Sequence, residues 1–378
     1  MLQNQLTTRP HPVLPQTSNL MDRRLSVAPM MGATDRHCRY LLRLISPSSL
    51  LYSEMIVTGA LLHGQDKAAR FLLHHGDEPA ALQLGGSDPA ALASCASLVE
   101  QAGYQEVNLN VGCPSDRVQV GGIGACLMQE PELVGECVSA MQAVTNIPVT
   151  VKCRIGTQTK HGGDLERPGD FDDFRHFIEI VRSAGCRIFI VHARKAILGG
   201  LSPKENREIP PLKYEFVYQI KQEFPDCQFL LNGGIRHEAE ALELMQKTDG
   251  IMLGRAPYAD PFLLARIEHL LAGQETRQAA ATGVNQGAIH GAFTAKIENS
   301  NQIDNLSRRN EVLNEYTDYM AAQLAEGVPL KHMARHLLGF FTGQPGARAF
   351  RRHLSSNMFN EEATLDLIAE SVTLAGLN

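Results

Sequence analysis

Residues 227–255 read CQFLLNGGIRHEAEALELMQKTDGIMLGR. Two short apolar runs, CQFLL and GIML, flank a stretch of helical character, and each run ends on glycine, at Gly233-Gly234 and at Gly254. Near-continuous apolar runs suit parallel strands covered on both faces, and a helix between two such strands supplies the crossover they need. The same unit recurs toward the N-terminus, in LSVAPM (25–30), LLYSEMIV (50–57), AALQLGG (80–86), EVNLNVGCP (106–114), PVTVKCRIG (148–156) and RIFIVHAR (187–194). Eight strands alternating with helices predict an α/β fold, a closed (β/α)₈ TIM barrel. An open doubly wound sheet normally carries a glycine-rich phosphate turn after its first strand, and none follows LSVAPM.

Outward from the barrel, expected over residues 21–272, the character of the chain changes. Residues 1–20 lack an apolar core behind a basic start, so they are expected to be a disordered tail and not a secretory signal. Residues 273–303 are polar and rich in Ala, Gly and Gln without a sustained period, which predicts a linker or insertion. From 304 to 378 the pattern is helical again, which predicts a small all-helical domain. No stretch of about 20 apolar residues is present, so no membrane helix is expected. The eight cysteines form no CxxC pair, which suits reduced thiols and a cytoplasmic location better than a disulfide framework.

The formal net charge of −6 argues against a chain that is basic throughout, but nucleic-acid binding depends on where the positive charge sits. Between Lys331 and His353 stand Lys331, Arg335, Arg348, Arg351 and Arg352 with no acid among them. That segment reads either as a phosphate-binding face or as an ordinary solvated helix.

Barrel enzymes carry their chemistry at the C-terminal ends of the strands. There the sequence places Pro29-Met30-Met31-Gly32, Gln83, Asn110 with Cys113, Lys152 with Arg154, His192, Asn232-Gly233-Gly234 and Gly254-Arg255. Glycines after the last two strands let backbone N–H groups approach a phosphate, and Arg255 adds a cation. NGG alone could be only a tight turn; the Gly-Arg one unit later favours the phosphate reading. Lys152 lies in an apolar strand, so its ammonium needs either a buried carboxylate or an anionic ligand such as reduced flavin. Gln83 and His192 could hydrogen-bond such a ligand. A free thiol titrates near about pH 8.5, so Cys113 at the mouth of the fourth strand can serve as an acid. Cys126 in GGIGACLM is its nearest competitor, and the other cysteines read as small core residues. No metal is expected.

NLNVGCP (108–114), with APMMGATDRHCR (28–39), QLGG (83–86), VKCRIG (151–156), HARKA (192–196), NGGI (232–235) and LGRA (253–256), resembles the tRNA-dihydrouridine synthase family. LSPKENREIPPL (201–212) and GARAFRRHLS (346–355) are similar to its A-type branch. Two departures stand out: MMGAT replaces a leucine–aspartate–tryptophan type of turn, and the linker at 273–303 is longer than the family pattern. The resemblance implies tightly bound FMN, NADPH as reductant and D-loop uridines of tRNA, 20 and 20a, as substrate. It implies FMN contacts from Pro29, Met30, Met31, Gln83, Lys152, His192, Asn232, Gly233, Gly234, Gly254 and Arg255. It further implies Cys113 as proton donor to C5 while hydride from the reduced flavin reaches C6, Asn110 as the residue orienting the uracil, and Lys204, Arg207, Arg348 and Arg351 as tRNA contacts. A monomer without an obligate protein partner is expected.

Two other readings share some of these features. A small-molecule flavoenzyme of the dihydropyrimidine or dihydroorotate dehydrogenase kind would use the same barrel, FMN and a cysteine, but leaves the basic helical tail unexplained. A non-catalytic RNA-binding protein would keep the flavin without needing Cys113.

Overall fold

A computed structural model describes residues 21–64, 66–74, 76–159, 169–282 and 303–377. The expected tail, residues 1–20, lies outside them. Each of the eight apolar runs contains one barrel strand: β1 (Leu25–Val27), β2 (Leu50–Val57), β3 (Ala80–Gly85), β4 (Glu106–Val111), β5 (Val149–Arg154), β7 (Ile188–His192), β9 (Gln228–Asn232) and β10 (Gly250–Leu253). They close in the order β1-β10-β9-β7-β5-β4-β3-β2, all parallel. Two further strands, β6 (Thr157–Thr159) and β8 (Ala196–Leu198), pair in parallel beyond the ends of β5 and β7. Neither has the length to leave a periodic signal in the sequence.

The barrel strands are buried on both faces along most of their length, their side chains alternating between the two. Leu82, Leu84, Val107, Leu109 and Val151 face the surrounding helices as part of the main core. The opposite face fills the barrel lumen with Leu50, Tyr52, Ala81, Ile190, Leu230 and Met252. The helices begin where capping chemistry directs. Asp88 accepts from the Ala91 N–H at 2.9 Å ahead of Pro89–Gln101, with proline in the first turn where its missing N–H costs nothing. Asp35 accepts from His37 N–H at 3.0 Å and Cys38 N–H at 2.9 Å and starts Arg36–Ile45.

Helix Phe262–Thr282 continues past residue 272, so positions 273–282 are helical where a linker was expected. Ala and Gln are good helix formers, and their abundance there is as compatible with helix as with a polar connector. Of the rest of the expected linker, 283–302 lie outside the described residues and Ile303 stands in a turn. After it come helices Leu306–Ala325, Lys331–Ala334, Ala347–Asn357 and Asp366–Ala375. Leu41 and Ile45 of the first barrel helix share one core with Val312, Tyr316 and Met320, and the Tyr40 and Tyr319 rings stack with centroids 4.0 Å apart. Arg309, fully buried, donates to the carbonyls of Phe340 and Thr342 and pairs with Asp304, lying over the Phe262 ring.

Candidate active site

A cavity of about 1010 Å³ opens at the C-terminal ends of the barrel strands. Pro29, Met30, Met31, Gln83, Asn110, Cys113, Lys152, His192, Asn232, Gly233, Gly234, Gly254 and Arg255 all line it, together with Arg154, Arg194 and Arg207. Met31 sits on the rim, 68% exposed. Lys204, Arg348 and Arg351 do not line the cavity. Lys204 is exposed near its edge, and the Arg351 Nε donates to the Leu338 carbonyl at 2.8 Å.

The wall formed by β5 is strongly cationic. Burial, reinforced by the charge of Arg154, pushes the Lys152 ammonium down to about 8. Its Nζ donates to Asn232 Oδ1 at 3.1 Å, and no carboxylate of the described residues neutralises it. The Arg154 guanidinium, also lowered by burial, to about 10, donates to the carbonyls of Gly112 at 3.0 Å and of Lys195 and Asn206 at 2.9 Å. Burial and the charges of Arg154 and Lys152 hold His192 well below its ordinary value, so its imidazole is neutral at pH 7. At the rim Arg255 pairs with Glu208 at 2.9 Å, both half exposed.

Two glycines in the NGG turn are sterically required. Gly233 has φ +114 and a Cβ there would lie 2.6 Å from His192 Cδ2; Gly234 has φ +79 and a Cβ would meet Leu212 Cδ1 at 2.6 Å. The Tyr214 hydroxyl clamps the turn by donating to the Gly233 carbonyl at 2.6 Å. Two strands round the barrel, after β1, the MMGAT turn is closed by Thr34, whose Oγ1 accepts from Met30 N–H at 2.9 Å, and by Glu54, which accepts from Gly32 N–H.

Cys113 stands two residues past the end of β4, half-buried and lining the cavity. Asn110 Oδ1 accepts from the N–H groups of Gly112 at 3.2 Å and Cys113 at 3.0 Å, and the Cys113 carbonyl accepts from Ala125 N–H at 2.9 Å. The Cys126 thiol lies near the Ile123 carbonyl at 3.1 Å and is outside the lining, and burial pushes it up. The remaining six cysteines are buried. Of the eight, only Cys113 lines the cavity.

A family model described as dihydrouridine synthase matches residues 26–375. The chain belongs to the dihydrouridine synthase family. A tRNA-dihydrouridine(20/20a) synthase of Vibrio cholerae is 46% identical over 351 residues, covering 92% of this chain and 95% of its own. The protein of the same description from Pseudomonas putida is 46% identical over 369 residues, 97% of this chain and 96% of its own. A solved 2-naphthoyl-CoA reductase complex aligns over 66% of this chain and 50% of its own at 9% identity and a TM-score of 0.48, too distant to bear on function.

For a dihydrouridine synthase, the motifs read in the sequence converge on one cavity, the exceptions being Lys204, Arg348 and Arg351. Among residues that sequence reasoning left without a role, Arg154 is the clearest, since it ties Gly112 of the Cys113 loop to Lys195, just before β8, and to the turn around Asn206. Its signal was present: a second cation two places after Lys152 on the same strand face. Tyr214 and Thr34 left none, because neither a clamp nor a turn closure has a spacing of its own.

Proposed function

We propose that this chain reduces the C5–C6 double bond of D-loop uridines in tRNA, at positions 20 and 20a, with tightly bound FMN as cofactor and NADPH as reductant. The observation that carries the reading is the convergence of the Cys113 thiol, a Lys152 ammonium without a carboxylate, and the Gly233-Gly234 turn on one cavity. The relatives described above as tRNA-dihydrouridine(20/20a) synthases support the substrate.

FMN fits the donor set of the lining. Buried Lys152 offers positive charge where a reduced isoalloxazine is anionic, and Gln83, His192 and Asn232 offer hydrogen bonds. Gly233, Gly234 and Gly254, with Arg255, would hold the phosphate, and Pro29, Met30 and Met31 would cover the apolar side. When bound, the flavin supplies hydride to C6 of the uracil after reduction by NADPH. Cys113 holds the proton that goes to C5, and Asn110 orients the ring by its amide. The base must leave its stack to reach the cavity. Arg207 at the rim, with Lys204, Arg348 and Arg351 outside it, would contact phosphates and position the tRNA without reading sequence. In this reading 21–272 forms the catalytic unit and 304–378 the tRNA-binding unit of a cytoplasmic monomer.

An absorbance spectrum of the purified protein, followed by NADPH and then unmodified tRNA without oxygen, tests the whole. Flavin bands that bleach with NADPH and return only with tRNA are expected. Return with free uracil would move the chain to small-molecule chemistry, and no flavin after reconstitution would end the reading.

A further inference from the structure

The barrel lumen contains one continuous line of polar side chains, running from the Cys113 loop at the mouth to a buried carboxylate at the floor. Glu106, Asn108 and Asn110 alternate on the inward face of β4 and are buried in turn. Gln83 on β3 and Thr150 on β5 fill the gaps between them, each in register with Asn108. The links are all of hydrogen-bond length. Cys113 N–H donates to Asn110 Oδ1 at 3.0 Å, Asn110 Nδ2 to Gln83 Oε1 at 2.7 Å, and Gln83 Nε2 to Asn108 Oδ1 at 2.7 Å. Asn108 Nδ2 then donates to Thr150 Oγ1 at 2.8 Å, and Thr150 Oγ1 to Glu106 Oε1 at 2.7 Å.

Donors therefore point one way along the whole line, and its ends are what fix the direction. At the top, backbone N–H groups can only donate. At the floor, a carboxylate can only accept. Glu106 is held as an acceptor by Arg23 Nε at 2.8 Å on one oxygen and by the Tyr52 hydroxyl at 2.5 Å on the other. A side-chain amide presents a donor at one corner and an acceptor at the other, so three amides in series transmit that direction without loss. Gln83 and Asn110, which line the cavity, each keep one amide hydrogen not used by these links.

We propose that Glu106 is a positioning residue for the reaction at Cys113, acting through Thr150, Asn108, Gln83 and Asn110 to fix which corner of each amide faces the Cys113 loop and the bound base. The proposal rests on the function proposed above and adds to it a determinant on the barrel floor. Replacing the carboxylate by an amide puts an N–H donor in the place of an acceptor. With its oxygen kept toward Arg23, the new amide donates one hydrogen to Thr150 and the other to Tyr52, both hydroxyls turn to accept, Thr150 donates to Asn108, and the three amides invert in sequence. Asn110 then presents its NH₂ to the N–H groups of Gly112 and Cys113, and both bonds are lost.

Thr150→Val tests this without replacing either end, because it is close to isosteric and removes the one hydroxyl that joins Glu106 to the amides. Thr150→Ser keeps the hydroxyl, and Glu106→Gln inverts the line. Two readouts are taken on chains whose circular dichroism shows them folded: the rate of Cys113 alkylation by iodoacetamide, mapped by mass spectrometry with Cys126 as internal reference, and kcat and KM for tRNA beside the rate of flavin reduction by NADPH. Thr150→Val and Glu106→Gln are expected to change Cys113 alkylation severalfold and to lower kcat by about tenfold, the equivalent of one lost bond in the transition state. KM for tRNA and the NADPH step should stay within about twofold, and Thr150→Ser should restore most of the rate. Folded Thr150→Val with wild-type alkylation and kcat would overturn the proposal, as would an equal fall in the NADPH step. If Glu106→Gln does not fold, the Val and Ser variants at position 150 decide. Alkylation needs neither flavin nor tRNA, so a wild-type chain inactive on tRNA would sink the function and leave the positioning test standing.

Discussion

The Lys152 ammonium reaches across the barrel from β5 to stop 3.1 Å from the side-chain oxygen of Asn232 on β9, passing over β7. An amide oxygen solvates that charge but does not neutralise it, and burial leaves it titrating near pH 8.

A flavin carbonyl oxygen, or the anionic ring after reduction, accepting from Lys152 favours its charged form and raises that value, so between the free and the bound value binding takes up a proton. FMN affinity should therefore be flat below about pH 8 and fall above it, by at most about tenfold per pH unit. Fluorescence titrations at a series of pH values check the slope. Lys152→Met should bind more weakly and lose the slope altogether.

Cys113→Ala should lower dihydrouridine formation by about 10²–10⁴-fold, the usual contribution of a positioned acid, with FMN binding unchanged. Mass spectrometry of the tRNA product reads the rate. Cys126→Ala should stay near wild type, since its thiol lies outside the cavity.

Asp35 joins the two halves of the molecule, capping the first barrel helix and pairing with Arg335 and His336 of the C-terminal region. Burial would raise its carboxyl; the hydrogen bond and charge of His336 outweigh that and hold it well below the ordinary carboxylate range. A depressed acid contributes stability that is present in full above about pH 4 and is lost as pH falls through the folded value. Thermal unfolding of the wild type should thus weaken steeply in acid. Asp35→Asn should be less stable at neutral pH and show a shallower acid limb.

Gly233→Ala forces a side chain into a left-handed position and against the His192 ring. A cost of about 1–3 kcal/mol in stability is expected, with loss of tight FMN binding. Gly199→Ala is the control. Its φ is +69 but a Cβ there meets nothing within 4 Å, so it should cost strain alone and leave the flavin bound. Melting temperature and flavin retention on gel filtration separate the two.

Arg348 is exposed on helix Ala347–Asn357 and is the clearest test of tRNA contact by the tail. Arg348→Ala should weaken tRNA binding and lower the slope of log affinity against log salt by about 1. Arg335→Ala should act mainly on stability, because that guanidinium is committed to Asp35.

The barrel was legible because strands buried on both faces leave apolar runs, and the glycines and cations at their ends mark the mouth. The tail was less so. Five cations from Lys331 to Arg352 look equivalent in sequence, yet Arg335 is spent on an aspartate from the start of the chain and Arg351 on a backbone carbonyl. Partners that far apart have no spacing to betray them. EVNLNV shows its alternation of polar residues plainly, but nothing in the string says that Thr150 and Gln83 fill the gaps, because that depends on the register of neighbouring strands. Helix Phe262–Thr282 exceeds its expected end for a different reason: composition separates a good helix former from a flexible connector poorly when both are rich in Ala and Gln.

Arg266 holds Glu238, Asp260 and Asp304 at once. It belongs to the same helix that ends at Thr282, while Asp304 lies just where the chain returns. Departure and return are therefore moored to a single rod. The helical unit that begins beyond Asp304 takes its berth from a barrel-side arginine that also holds Glu238 and Asp260.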